Sequence, residues 1–268
     1  VDTSWIFSLE AESSRRLLSS DGGLEGGLTN RHYWMGQPRP TFSKLAVISQ
    51  MTGLDNSHLL PPYFPVFRGE DYLFGAMLEY LHPNAAILDY DWCVPHFPLD
   101  PRQGNLEAEL MTGKGGFLLP KYITDRTDYE TGLTLQTRLS RLVLMLRELA
   151  EASDEGLLAR YRTGVAESQG RLIKELNLRL RDGVARPQRW VDYLQQSITA
   201  ATQAMHEVAR LADLPPIPEG YDEQRILAEF RQYAGEFAGS LEAWPALRET
   251  AAAVTEGMLE RGALSPLA

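Results

Sequence analysis

"LTLQTRLSRLVLMLRELA" runs from Leu133 to Ala150 and decides the fold class. Leu135, Leu139, Leu142, Val143, Leu146 and Leu149 recur at three- and four-residue steps. That spacing is the period of an α-helix with one apolar face. The pattern continues downstream through Leu172, Ile173, Leu176 and Leu180, and Gly183 and Pro187 then punctuate it. Trp190, Val191, Leu194, Ile198, Ala201, Met205, Val208 and Leu211 draw a further stripe. "LPPIPEGYD", from Leu214 to Asp222, reads as a stiff connector. Ile226, Phe230, Tyr233 and Phe237 mark a fourth helix, and Trp244, Leu247, Ala251, Val254 and Met258 a fifth. Long apolar stripes with polar backs and short breaks predict an antiparallel helical bundle over residues 131–268. The stripes share a period but not a sequence, so they are not repeats. Nothing in them suggests ligand chemistry, and His206 reads as an ordinary helix residue.

Upstream, residues 1–130 have a different texture. Prolines, glycines and aromatics are scattered, and "DGGLEGGLTN" and "GQPRPTF" are loop chemistry. Three helices are expected there: Thr41 to Met51, Asp71 to Leu81 (stopped by Pro83), and Asn105 to Met111. Ala85 to Val94, "AAILDYDWCV", has the mix of a short buried strand. The expected fold is therefore mainly α: a small, irregular α/β N-terminal part, residues 1–130, followed by the bundle.

Composition narrows the function classes. The 268 residues are 44% hydrophobic and 23% charged, enough for a sizeable core. A net charge of −10 argues against nucleic acid or an anionic membrane as the main partner. The single cysteine, Cys93, excludes an intrachain disulfide and suits a reducing, cytoplasmic setting. No apolar run approaches the roughly 20 residues a transmembrane helix needs. The Val-Asp-Thr start suggests a processed product or a piece of a longer chain. Familiar catalytic signatures are missing from the sequence: Gly-x-Ser-x-Gly, His-Glu-x-x-His and Cys-x-x-Cys. "TGKGGF", Thr112 to Phe117, lacks phosphate-loop spacing and reads as a turn.

One segment stands apart. "LLPPYFPVFRGEDYLFGAMLEYL", Leu59 to Leu81, passes from a proline-rich wall to a Glu-Asp pair at a helix start. Asp71 there can serve as an N-cap, accepting from free backbone N–H groups, with Glu70 favoured by the positive helix end. The same carboxylate, held rigidly, can instead take a proton from a sugar hydroxyl. Tyr63 offers a ring on which a sugar or base can stack, and Arg68 can hold a phosphate. Asp89, Asp91 and His96 in "DYDWCVPHFP" are oxygen and nitrogen donors of the kind that bind a divalent ion. On a strand, Asp89 and Asp91 would share one face. A strand-end turn and a capping pair explain these residues equally simply.

The stretch from Gly53 to Arg102 resembles the later part of the catalytic region of bacterial GT-A-type glycosyltransferases. In such proteins an acidic pair at a helix start follows the acceptor segment, and a strand and a histidine come after it. The resemblance implies that Asp71 is the catalytic base with Glu70 beside it. Arg68, Tyr63 and Trp92 are the expected substrate-binding residues beside them. The resemblance also implies His96 as a ligand of Mg2+ or Mn2+; Asp89 and Asp91, expected as further ligands from their residue type, follow the acidic turn, the reverse of the family's order. The expected reaction is inverting transfer from a nucleotide-sugar to a sugar-containing acceptor. Residues 1–130 would then be the acceptor-side part. Only 69 residues precede Glu70, and they do not alternate strand and helix as a nucleotide-binding half requires. The expectation is thus the C-terminal piece of a larger enzyme whose N-terminal half is missing, or a fold that only echoes the family; a homo-oligomer is the other assembly expected. The competing expectation is a non-enzymatic helical module that docks a protein partner or organises an oligomer.

Overall fold

The computed structural model describes residues 11–19, 23, 39–44, 52–64, 70–92, 122–123, 126, 132–181, 187–206 and 220–262. Helix takes up 74% of these, with two short strands, so the fold is mainly α with a small α/β part. The helices are α1 (Ala11–Leu18), α2 (Glu70–Leu81), α3 (Leu135–Ala150), α4 (Asp154–Arg181), α5 (Gln188–His206) and α6 (Glu223–Glu260). The strands are β1 (Thr41–Ser43) and β2 (Ile87–Asp89). Among the described residues no helix is long and apolar enough to cross a membrane.

The chain divides into two units that interleave along the sequence. One comprises Val1–Pro38, Asp91–Leu118 and Glu155–Glu223; the other comprises Arg39–Tyr90, Leu119–Asp154 and Gln224–Ala268. Residues 1–130 and 131–268 therefore each contribute to both.

In the first unit, Leu176 of α4 packs with Trp190, Tyr193 and Leu194 of α5, and Leu17 and Leu18 of α1 close over them. The Pro187 carbonyl accepts from Trp190 N at 3.0 Å and opens α5. The buried Ser197 hydroxyl donates to the Tyr193 carbonyl at 2.8 Å, so it carries no unpaired polar atom into the core.

The second unit is built on α2, α3 and α6. Gly132 takes a left-handed φ of 86° ahead of α3. Thr134 then caps that helix, its Oγ1 accepting from Thr137 N at 3.2 Å. Leu139, Leu142, Val143, Leu146 and Leu149 are buried as their spacing predicts. Each contributes about 1.5–3 kcal/mol by leaving water. A Cβ built on Gly235 of α6 would stand 3.5 Å from Ala150 Cβ, so α6 passes close to the end of α3. Farther along α6, Glu242 pairs with Arg147 at 2.6 Å, and before Gly235, Arg231 pairs with Asp154. Rising numbers on α6 meet falling numbers on α3, so this pair runs antiparallel.

Two expectations are corrected here. Thr41–Ser43 is a strand, not the opening of a helix. It pairs antiparallel with β2 in the register Thr41↔Asp89, Phe42↔Leu88 and Ser43↔Ile87. Lys44 Nζ then donates to the carbonyls of Pro83 and Ala85, at 2.6 and 2.8 Å, tying the ribbon to the exit of α2. Ladder pairing overrides a helical reading of so short a segment. The fourth and fifth expected helices are one helix of 38 residues, α6, which runs through Pro245. Proline withholds only its own N–H from Leu241, and a helix with other contacts survives that loss. The expected helix at Asn105–Met111 lies outside the described residues, as do Val208 and Leu211.

Candidate functional site

Glu70 is the first residue of α2 and Asp71 the second. Asp71 therefore stands inside the first turn and not at the cap position expected for it. Both carboxylates are half-buried and lie where free N–H groups and the helix dipole favour negative charge. The rest of α2 anchors them. Leu73, Phe74, Met77, Tyr80 and Leu81 are all buried, so the turn carrying the acids cannot swing without exposing core. At the other end of α2, the buried Arg138 donates to the Tyr80 carbonyl at 3.3 Å. Its guanidinium also lies over the Tyr80 ring, 5.2 Å from the centroid. Acids at the start and a cation at the end complement the dipole of one helix.

Tyr63 joins the acidic pair. Its ring stacks on Phe74 with centroids 4.4 Å apart and planes within 12°. The residue is 43% exposed. Partial burial pushes the Tyr63 hydroxyl above the usual tyrosine range, and the charges of Asp71 and then Glu70 add to the rise. The phenol thus feels both carboxylates. The arrangement is an exposed aromatic ring, held by a core phenylalanine, beside two rigidly based acids.

The segment that delivers Tyr63 is itself held. Asn56 to Phe64 runs as a strap along α6, in the direction opposite to the helix. Phe64 meets Phe237 edge-on, centroids 4.9 Å apart. The Leu60 carbonyl accepts from Trp244 Nε1 at 2.6 Å, and the Asn56 carbonyl accepts from Arg248. His82, just past α2, bonds the Leu59 carbonyl through Nε2 at 2.7 Å. These partners escaped sequence reasoning, because Trp244 and Leu60 stand 184 residues apart. The sequence signals were only the stiffness of Pro61 and Pro62 and an unexplained tryptophan.

Of the remaining expected residues, Asp89, Asp91 and Trp92 are described. Asp89 ends β2 and is half-buried. Asp91 lies in an exposed bend beyond the strand, so the two do not share the strand face expected of them. The ladder has only three residue pairs, which leaves Asp91 no partner strand to fix its direction. Trp92 is exposed and, with Asp91, falls in the other unit. Arg68 and His96 lie outside the described residues. Among the described residues, no group of three or more His, Cys, Asp or Glu side chains could hold a metal ion. No family model, curated protein or solved structure matches the chain.

Proposed function

We propose that this chain is a glycosyltransferase-related protein that transfers a sugar from a nucleotide-sugar to an acceptor hydroxyl. One observation carries the reading. Tyr63 stacks on Phe74 of α2, the helix that Glu70 and Asp71 open, and partial burial and then the charges of Asp71 and Glu70 raise its hydroxyl. In the proposed inverting step Asp71 takes the proton of the acceptor hydroxyl as its oxygen bonds to the anomeric carbon. The bond from that carbon to the diphosphate breaks on the opposite side, and the nucleoside diphosphate leaves. Glu70 is the neighbour of Asp71 at the start of α2. Tyr63 offers its ring to the sugar, and Arg68 and Trp92 are the further substrate-binding candidates. Asp89, Asp91 and His96 are the candidate ligands for Mg2+ or Mn2+. Among the described residues no three such side chains gather to hold a metal ion.

The test is nucleoside diphosphate release by the full-length protein from a panel of nucleotide-sugars with carbohydrate acceptors. Asp71→Asn is expected to lower turnover by about 10²-fold or more, the range for loss of a positioned general base. The helical circular dichroism should be unchanged. Transfer retained in that variant removes the assignment.

A second reading, a helical docking module, has its own observation. The distal part of α6 leaves Leu247 and Val254 more than half exposed, at 53% and 54%. If no nucleotide-sugar supports turnover while the purified chain assembles through this segment, that reading replaces the first.

A further inference from the structure

The strap that carries Tyr63, Asn56 to Phe64, is anchored on α6 by a tryptophan. Trp244 Nε1 donates to the Leu60 carbonyl at 2.6 Å, three residues before Tyr63 in sequence. Pro61 and Pro62 fill the gap, and their fixed φ angles leave the chain few ways to absorb movement between the two points. On the far side of Tyr63, Phe64 is held edge-on by Phe237. Trp244 and Phe237 lie on the same helix, seven residues or about two turns apart. Tyr63 is therefore bracketed by two contacts to α6, while its own ring rests on α2.

We infer that Trp244 is a positioning residue for Tyr63: by gripping the Leu60 carbonyl it fixes the strap so that the Tyr63 ring stays stacked on Phe74 beside the acidic pair. The alternative is that the Phe74 stack alone sets the ring. A stack between a core side chain and a half-exposed tyrosine fixes the plane of the ring but leaves it free to slide, since offset arrangements are close in energy. The Leu60 anchor removes that freedom from the backbone side. Arg248, which reaches the Asn56 carbonyl, secures the far end of the same strap. The ligand that would sense this is the acceptor sugar, and that part of the inference rests on the glycosyltransferase reading; the placement of the ring does not.

The experiment separates the two. The full chain is labelled with 3-fluorotyrosine, and the Tyr63 fluorine resonance is assigned by its loss in Tyr63→Phe. Trp244→Phe keeps an aromatic ring and removes the N–H donor together with the pyrrole part of the indole. The Tyr63 resonance is expected to move toward its unfolded-chain position while helical circular dichroism is retained. Arg248→Ala, a milder change at the strap's far end, is expected to move it in the same direction by less. A Tyr63 resonance unchanged in both variants overturns the inference, whatever the activity; so does a shift in Trp244→Phe matched equally by every other tyrosine, which would report general loosening. If the protein proves to be a transferase, Trp244→Phe raises the acceptor KM more than it lowers kcat. A shifted resonance without any transfer activity in the wild type removes the glycosyltransferase reading and leaves the positioning role standing.

Discussion

The two halves of α6 share a helix and differ in what surrounds them. Between Ile226 and Leu241 the helix buries Ile226, Leu227, Phe230, Ala234, Phe237, Ala238 and Leu241. Beyond Pro245 the apolar period continues through Leu247, Ala251 and Val254, yet every residue from Ala251 to Glu256 is exposed. In this distal half Arg248 bonds the Asn56 carbonyl, and Thr250 and Thr255 bond back to carbonyls of their own helix. Periodicity therefore specifies that a segment is helical. It does not specify that something covers it. The inner half is core; the outer half holds its helix by propensity, local bonds and continuity with the inner half.

The contrast makes unequal predictions. Phe230 is 2% exposed. Phe230→Ala should cost about 3–5 kcal/mol of unfolding free energy, the range for emptying a buried aromatic site. Urea denaturation of the two proteins measures it, and a cost under about 1 kcal/mol would mean that the inner half is not core. Leu247→Ala should stay within about 0.5 kcal/mol of the wild type in the same measurement, as exposed sites do. A large loss at Leu247 would show that the outer half is covered in solution, and would favour assembly through this face.

The sequence made much of this legible, and its failures have identifiable causes. Leu139, Leu142, Leu146 and Leu149 on α3, and Trp190 and Leu194 on α5, were assigned to a core by spacing alone and are buried. A helix that pairs along its whole length repeats its signal many times, so a few exceptions do not hide it. Thr41–Ser43 gave the wrong reading because a three-residue ladder is decided by its partner 40-odd residues away, not by local preference. The stripes ending at Phe237 and starting at Trp244 read as two helices, but one helix carries both and runs through Pro245 with the loss of one bond. The interleaved units were illegible for a related reason. Contacts between segments such as 52–64 and 237–248 leave no trace in either segment read alone.

The candidate site shows the same division. Glu70, Asp71 and Tyr63 were legible because stiff prolines, an aromatic and a helix start with two acids are local features. The stacking of Tyr63 on Phe74 was within reach, eleven residues along the chain. The Trp244 anchor was not. Asp89 and Asp91 matched a motif by spacing, but β2 ends at Asp89 and the strand needed to align them stops there.

The central claim is that Tyr63 and the two acids form one electrostatic site, and the ionisation of Tyr63 tests it most directly. The hydroxyl is held above the ordinary tyrosine range by partial burial and then by Asp71 and Glu70. A raised value in the folded state means that folding favours the neutral phenol. The stability tied to that preference is therefore fully present below the unfolded tyrosine value near 10 and is lost as pH rises through the folded value. Ultraviolet difference titration, with Tyr63→Phe subtracted, isolates this one residue. The wild-type midpoint should lie above that of free tyrosine, and Asp71→Asn, which removes one negative charge without changing shape, should lower it. A Tyr63 midpoint that ignores Asp71→Asn would place the phenol outside the reach of the acids and contradict the site on which the functional reading rests.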